Sequence, residues 1–149
     1  MQELGRAIKQ LQTQNHRRLD TGLQKIGLTL AQWDALRAIE TYPGVSAHLL
    51  AEQTFQTDQS FGTLATRLIT KGLVDRRQGV GRALEHRLTS EGRALLTKGS
   101  EVARQVLDKT FAHLSVEERN ELLRLVKKVI ERSAPPNQER ADHQPLPSS

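Results

Sequence analysis

The sequence predicts a mostly α fold with a small β wing, a winged helix-turn-helix with N- and C-terminal dimerisation helices. Three observations predict it. Residues 45–55 (VSAHLLAEQTF) and 58–71 (DQSFGTLATRLITK) are two helix-like stretches separated by a short polar turn. Residues 73–77 (LVDRR) and 85–89 (EHRLT) are strand-like and are joined by a basic, glycine-containing loop at 78–84 (QGVGRAL). Apolar stripes at helical spacing precede and follow this unit.

Taken in order, Leu4, Ile8, Leu11, Leu19, Leu23 and Ile26 recur at helical spacing until Gly27, which predicts a long amphipathic first helix. Thr29 is a suitable N-cap for residues 30–41 (LAQWDALRAIET), in which Trp33, Leu36, Ala38 and Ile39 can face a core and which Tyr42-Pro43-Gly44 closes. In the 58–71 stretch Phe61, Leu64, Leu68 and Ile69 form an apolar face, and Gly72 stands where a left-handed C-cap is wanted. After the wing, Ser90 opens a helix to about residue 113 that carries Leu95, Leu96, Val102, Val106, Leu107 and Phe111, with Gly99 weakening its middle. Ser115 and Glu118 are spaced as a capping box for residues 116–132, whose seam is Leu122, Leu125, Val126, Val129 and Ile130. Residues 134–149 hold four of the five prolines among few apolar residues, so a disordered tail is expected there.

The stripes of the first and last helices need a cover that the winged unit does not supply, and a second copy of the chain is the economical one. We therefore expect a homodimer built from one domain per chain, residues 1–133. Within it residues 28–90 form the winged unit and residues 1–27 and 91–133 the dimerisation helices. A chain of 149 residues with 36% hydrophobic residues supports one compact domain and no large substrate chamber.

Net charge is +5, and its placement is more informative than its size. Residues 59–88 carry six Lys/Arg against two acids, while the rest of the chain is nearly balanced. A cationic helix-turn-helix segment points to duplex DNA, because the second helix of such a unit can enter a major groove while the wing reaches flanking backbone. The candidate contacts are Thr57, Asp58, Gln59, Ser60, Gly62 and Thr63 at the start of that helix, Thr66 and Arg67 one turn on, Ser46 in the first helix-like stretch, and Arg76, Arg77 and Arg82 in the wing. Gln59 suits an adenine edge and Arg67 a guanine or a phosphate, since amide and guanidinium groups bond bidentately. Gly62, inside a helix pattern, suggests close approach of the backbone to DNA or to the preceding helix.

Other classes are disfavoured. With no cysteine, disulfides, thiolate metal sites and iron–sulfur clusters are excluded. The five histidines form no pair at i, i+4 spacing, so no metal site is expected. There is no nucleophile elbow, phosphate loop or paired-acid motif; neither an enzyme nor a cofactor is expected. No apolar run approaches the roughly 20 residues that cross a bilayer, and MQELGRAIKQLQTQ lacks a signal-peptide core, so a cytoplasmic protein is expected.

Together, LTLAQWDALRAIE (28–40), LLAEQ (49–53), LATRLITKGLVDRR (64–77) and RLTSEGRALL (87–96) resemble the multiple antibiotic resistance regulators, the MarR family, over about residues 5–132. The resemblance implies an obligate dimer with interleaved terminal helices and a transcriptional regulator, most often a repressor released by a small ligand. It implies a minor-groove role for Arg82. It also implies an effector pocket drawing on His16, Leu19, Leu23, Trp33 and Phe111, where Arg17, Arg18 and Trp33 suit a phenolic or lipophilic acid. Two departures stand out: Thr63 occupies a place where members commonly have Arg, and the wing's usual Asp-Arg-Arg appears here as Val80-Gly81-Arg82 in a shorter loop. Those departures leave an alternative, a protein-interaction module on the same fold with reduced DNA binding.

Overall fold

Helix α1, Gln2–Gln24, is amphipathic and buries only Leu23. In this computed structural model, which describes residues 1–81 and 84–133, it stops two residues before the predicted end. The cause is a C-cap in which Gly27, at φ 80°, donates its N–H to Gln24 O (3.0 Å) while the Leu28 N–H bonds Leu23 O (3.1 Å). Helix α2, Leu30–Thr41, has the predicted bounds. Thr29 and Gln32 cap it reciprocally, and Asp20 of α1 accepts the Leu30 N–H at 2.9 Å, which ties the two helices together.

The two helices of the predicted helix-turn-helix are α3, Ala47–Gln53, and α4, Asp58–Thr70. α3 is shorter than the predicted 45–55. Ser46 is its N-cap, its side chain accepting from Leu49 N, and at the other end Phe55 turns left-handed at φ 56°. The Phe55 and Gln56 amides bond Glu52 O (3.1 Å) and Ala51 O (2.8 Å), the same motif that ends α1 but with phenylalanine where glycine is usual. Thr57 caps α4 by accepting the Ser60 N–H at 3.1 Å, and Gly72 (φ 73°) closes it, as predicted.

The wing is an antiparallel pair, β1 (Val74–Gln78) and β2 (Leu84–Leu88), with Val74 opposite Leu88 and Arg76 opposite His86. Both strands are one residue out of step with the prediction, for identifiable reasons. The Leu73 amide still belongs to the α4 cap, bonding Leu68 O at 3.0 Å, and the Thr89 hydroxyl already caps the next helix by accepting the Gly92 N–H at 3.0 Å. That helix, α5, runs Ser90–Thr110, three residues short of the prediction. The core joins Leu23, Leu28, Leu36, Ile39, Leu50, Phe61, Leu68, Val74 and Leu88, drawn from every element of this unit except α5, whose Leu95, Leu96 and Val102 pack against it.

These elements form one compact unit, residues 1–110; the described residues 111–133 belong to a second. Within the latter, Ser115 and Glu118 form the predicted capping box (2.8 and 3.2 Å) for α6, Val116–Ser133. No α6 residue is buried, and Leu122, Leu125, Val126, Val129 and Ile130 lie open.

Candidate nucleic-acid interface

α4 divides cleanly between two faces. Phe61, Leu64, Ala65 and Leu68 are buried, whereas Gln59, Ser60, Thr63, Thr66 and Arg67 are exposed. Helical periodicity sets this division, because residues three and four apart share a face. Gln59, Ser60, Thr63 and Arg67 rim a shallow open depression of about 410 Å³, together with Ala31, Gln56 and Leu64. The predicted contact helix is therefore presented outward by a sealed apolar reverse.

The hydroxyls on that face are already partly committed. Thr63 donates to Gln59 O at 3.1 Å and Thr66 to Gly62 O at 3.0 Å, leaving each oxygen lone pairs but no free proton. They can accept from the amino groups of adenine or cytosine and cannot donate to a phosphate unless they rotate. Thr57 and Ser46 spend their oxygens on helix caps, and Asp58 is bonded to His48. Gly62 meets nothing within 4 Å where a Cβ would stand, so packing against α3 does not explain it. Gly62→Ala is accordingly expected to raise stability by up to about 1 kcal/mol in urea denaturation while weakening DNA binding if backbone approach is what keeps it glycine.

In the wing, Arg76 and Arg77 are neighbours on one strand and point to opposite faces. The Arg76 Nε–H donates to His86 Nε2 at 3.4 Å, and His86 itself is 4% exposed, against the edge of Phe61 with ring centroids 6.0 Å apart. Arg77 is exposed on the other face, and Arg82 lies outside the described residues. Sequence reasoning assigns no role to these histidines. His86 falls on the same strand face as Leu84 and Leu88, a period-two signal for an inward position that could have found it, and His48 carries no comparable signal.

The residues predicted to form an effector pocket differ in their settings. Leu23 is 0% exposed and belongs to the core, with its side chain against Gly99 of α5. His16 is exposed, Leu19 half-buried, and Phe111 belongs to the second unit. Trp33 is half-buried; its Nε1–H is enclosed without an acceptor, its ring lies against Gly99, and the Arg37 guanidinium sits 5.5 Å from its centroid. No group of acids and histidines that could hold a metal ion exists among the described residues, and no described helix is long and apolar enough to cross a membrane.

A capped helix pair, an outward polar face on its second helix and a two-stranded hairpin beside it define a winged helix-turn-helix protein. Residues 26–83 match the family model described as MarR family. The HTH-type transcriptional repressor Rv2887 of Mycobacterium tuberculosis is 32% identical over 113 residues, 74% of this chain and 81% of that protein. The chain belongs to the MarR family. Among solved structures, the M. tuberculosis MarR family protein Rv2887 in complex with DNA superposes with a TM-score of 0.73 at 28% identity, covering 85% of this chain and 96% of that one. Its complex with p-aminosalicylic acid gives 0.73 at 29%, covering 85% and 97%. MarR of E. coli with operator DNA, 23% identical over 86% of this chain and 94% of that one, shares the fold with a TM-score of 0.78.

Proposed function

We propose that the chain is a homodimeric, sequence-specific DNA-binding transcriptional repressor of the cytoplasm, without enzymatic activity, that a small phenolic or lipophilic acid releases from DNA. The observation that carries the reading is the α4 surface: exposed amide, hydroxyl and guanidinium groups on a helix whose opposite face is locked into the core. Family membership supports it, as do a relative named a transcriptional repressor and that relative's structures with DNA and with p-aminosalicylic acid.

In this reading residues 28–90 bind DNA, with Gln59 and Arg67 addressing base edges, Thr63 and Thr66 accepting from base amino groups, and Arg77 and Arg82 meeting backbone or minor groove. Residues 1–27 and 91–133 pair two copies, which would cover Leu4 and Ile8 of α1 and the apolar seam of α6, all exposed in the single chain. The Trp33 Nε1–H, enclosed and without an acceptor, is a donor that an acid effector reaching it would satisfy.

An anisotropy titration tests the reading, using a duplex from the region upstream of the protein's own coding sequence at two salt concentrations. The expected result is binding of two chains per site, with preference over random duplex. Affinity should fall steeply with salt, by roughly tenfold or more over a fourfold rise if several phosphates are neutralised, and salicylate should weaken it. Salt-insensitive or absent binding would return the fold to the alternative of a protein-interaction module.

A further inference from the structure

α3 and α4 meet outside the core through an exposed cluster of three charged residues. His48 Nδ1 lies 2.9 and 3.1 Å from the two oxygens of Asp58, the first residue of α4. Its Nε2 lies 3.4 Å from Glu52 Oε1, one turn further along α3. Each ring nitrogen thus faces a carboxylate, and only the doubly protonated imidazolium can donate to both. The carboxylates favour that form: the hydrogen bond that His48 donates to Asp58, then the charge of Asp58, then the charge of Glu52, raise the His48 pKa above the ordinary 6.5. Asp58 on α4 and Glu52 on α3 are the charged groups that act on the ring; among the described residues none from α2 or β2, which also pack on α3, does so.

Asp58 sits where two demands conflict. A carboxylate in the first turn suits the helix dipole. The same end of α4 is part of the face proposed to enter the groove, between strands whose phosphates repel a bare negative charge. We propose that His48 is a positioning residue for DNA recognition. As an imidazolium it spans Glu52 and Asp58, ties the first turn of α4 to α3, and neutralises carboxylate charge at the surface that meets the phosphate backbone, so that DNA binding takes up a proton there. The inference rests on the DNA-binding reading above and adds to it a pH dependence located at one side chain.

The sign follows from linkage. Phosphates brought close to the cluster raise the proton affinity of His48 beyond its value in the free protein, which is itself above 6.5. Between those two values the complex holds more protons than its free components, so affinity rises as pH falls. Burial holds the pKa of His86 below 6.5, so that ring titrates on the acid side of this window.

The test is an anisotropy titration at fixed ionic strength from about pH 8.5 to about pH 6.5, with the upstream duplex and a random duplex. Wild type is expected to bind roughly three- to tenfold tighter at the lower pH, a tenfold change corresponding to a pKa difference of about one unit. His48→Gln is expected to be flat at the weak, high-pH level, and His48→Arg, with its permanent charge, flat at the tight level. Asp58→Asn should shrink the slope and lower the His48 pKa measured by NMR titration of the free protein. Salt-dependent wild-type binding with no pH slope, or a slope that survives in His48→Gln, overturns the inference and leaves the DNA reading intact. Failure of wild type to bind either duplex at low salt removes both.

Discussion

Phe61→Ala is expected to lower stability by about 3–5 kcal/mol, the largest loss from truncating a single side chain in this fold. Phe61 is the largest fully buried side chain, and it lies on the inner face of α4 beside Leu64, Ala65 and Leu68. Its ring also meets His86 of β2 edge-on, at 81° between planes, so one side chain joins the helix to the wing. The partner ring cannot compensate for its removal. His86 Nε2 accepts from Arg76, which places the remaining ring proton on Nδ1, enclosed and without an acceptor. Burial, and then the Arg76 charge, disfavour the imidazolium and hold its pKa below the ordinary value. Stability from this site is therefore full above pH 6.5, where unfolded and folded chains both hold a neutral ring, and declines as pH falls below it because only the unfolded chain readily takes up the proton. Urea denaturation at neutral pH checks the substitution. Phe61→Leu, which keeps most of the volume, should lose less than about 1.5 kcal/mol. A loss below about 1 kcal/mol for Phe61→Ala would show a seam between helix and wing that collapses around the gap.

The two faces of α4 were legible in the sequence because a period of 3.6 separates Phe61, Leu64 and Leu68 from Gln59, Thr63 and Arg67 with little ambiguity. The bounds of α2 were legible for a different reason: Thr29 at one end and Tyr42-Pro43-Gly44 at the other are both strong local signals. Gly72 marked its cap correctly. Phe55 did not, since nothing in a phenylalanine announces a left-handed turn, and the predicted helix ran through it. Leu23 shows a second limit. An apolar residue in a helical stripe reads the same whether it lines a ligand site or fills the core, and only the packing of α5 against α1 decides. The His48–Asp58 contact shows a third, because ten residues of separation follow no secondary-structure period and the pair exists only once α3 and α4 cross.

Gly92→Ala is expected to destabilise the protein by about 3 kcal/mol, the upper end of the range for an added methyl in a packed site, although helix propensity alone favours alanine by about 1 kcal/mol. Gly92 lies in the first turn of α5, where a Cβ would overlap the carbonyl oxygen of Leu73 and come within 3.0 Å of its carbon. A flexible side chain could move aside; a backbone carbonyl at the start of β1 cannot move without its strand. That carbonyl also accepts the Thr89 N–H at 3.1 Å, while the Thr89 hydroxyl donates to Gly72 O at 2.7 Å and accepts from Gly92 N at 3.0 Å. The α4 cap, the end of β2 and the start of α5 therefore share one small network, and displacing α5 must disturb the wing and the seat of α4 together. Gly62→Ala makes the same chemical change in α4, where no atom lies within 4 Å, and is expected to shift stability in the opposite direction. Measuring both by urea denaturation separates close packing from propensity. If Gly92→Ala proved as stable as wild type, α5 would not approach β1 as described, and the rigid junction that holds the wing beside α4 would have to be sought elsewhere.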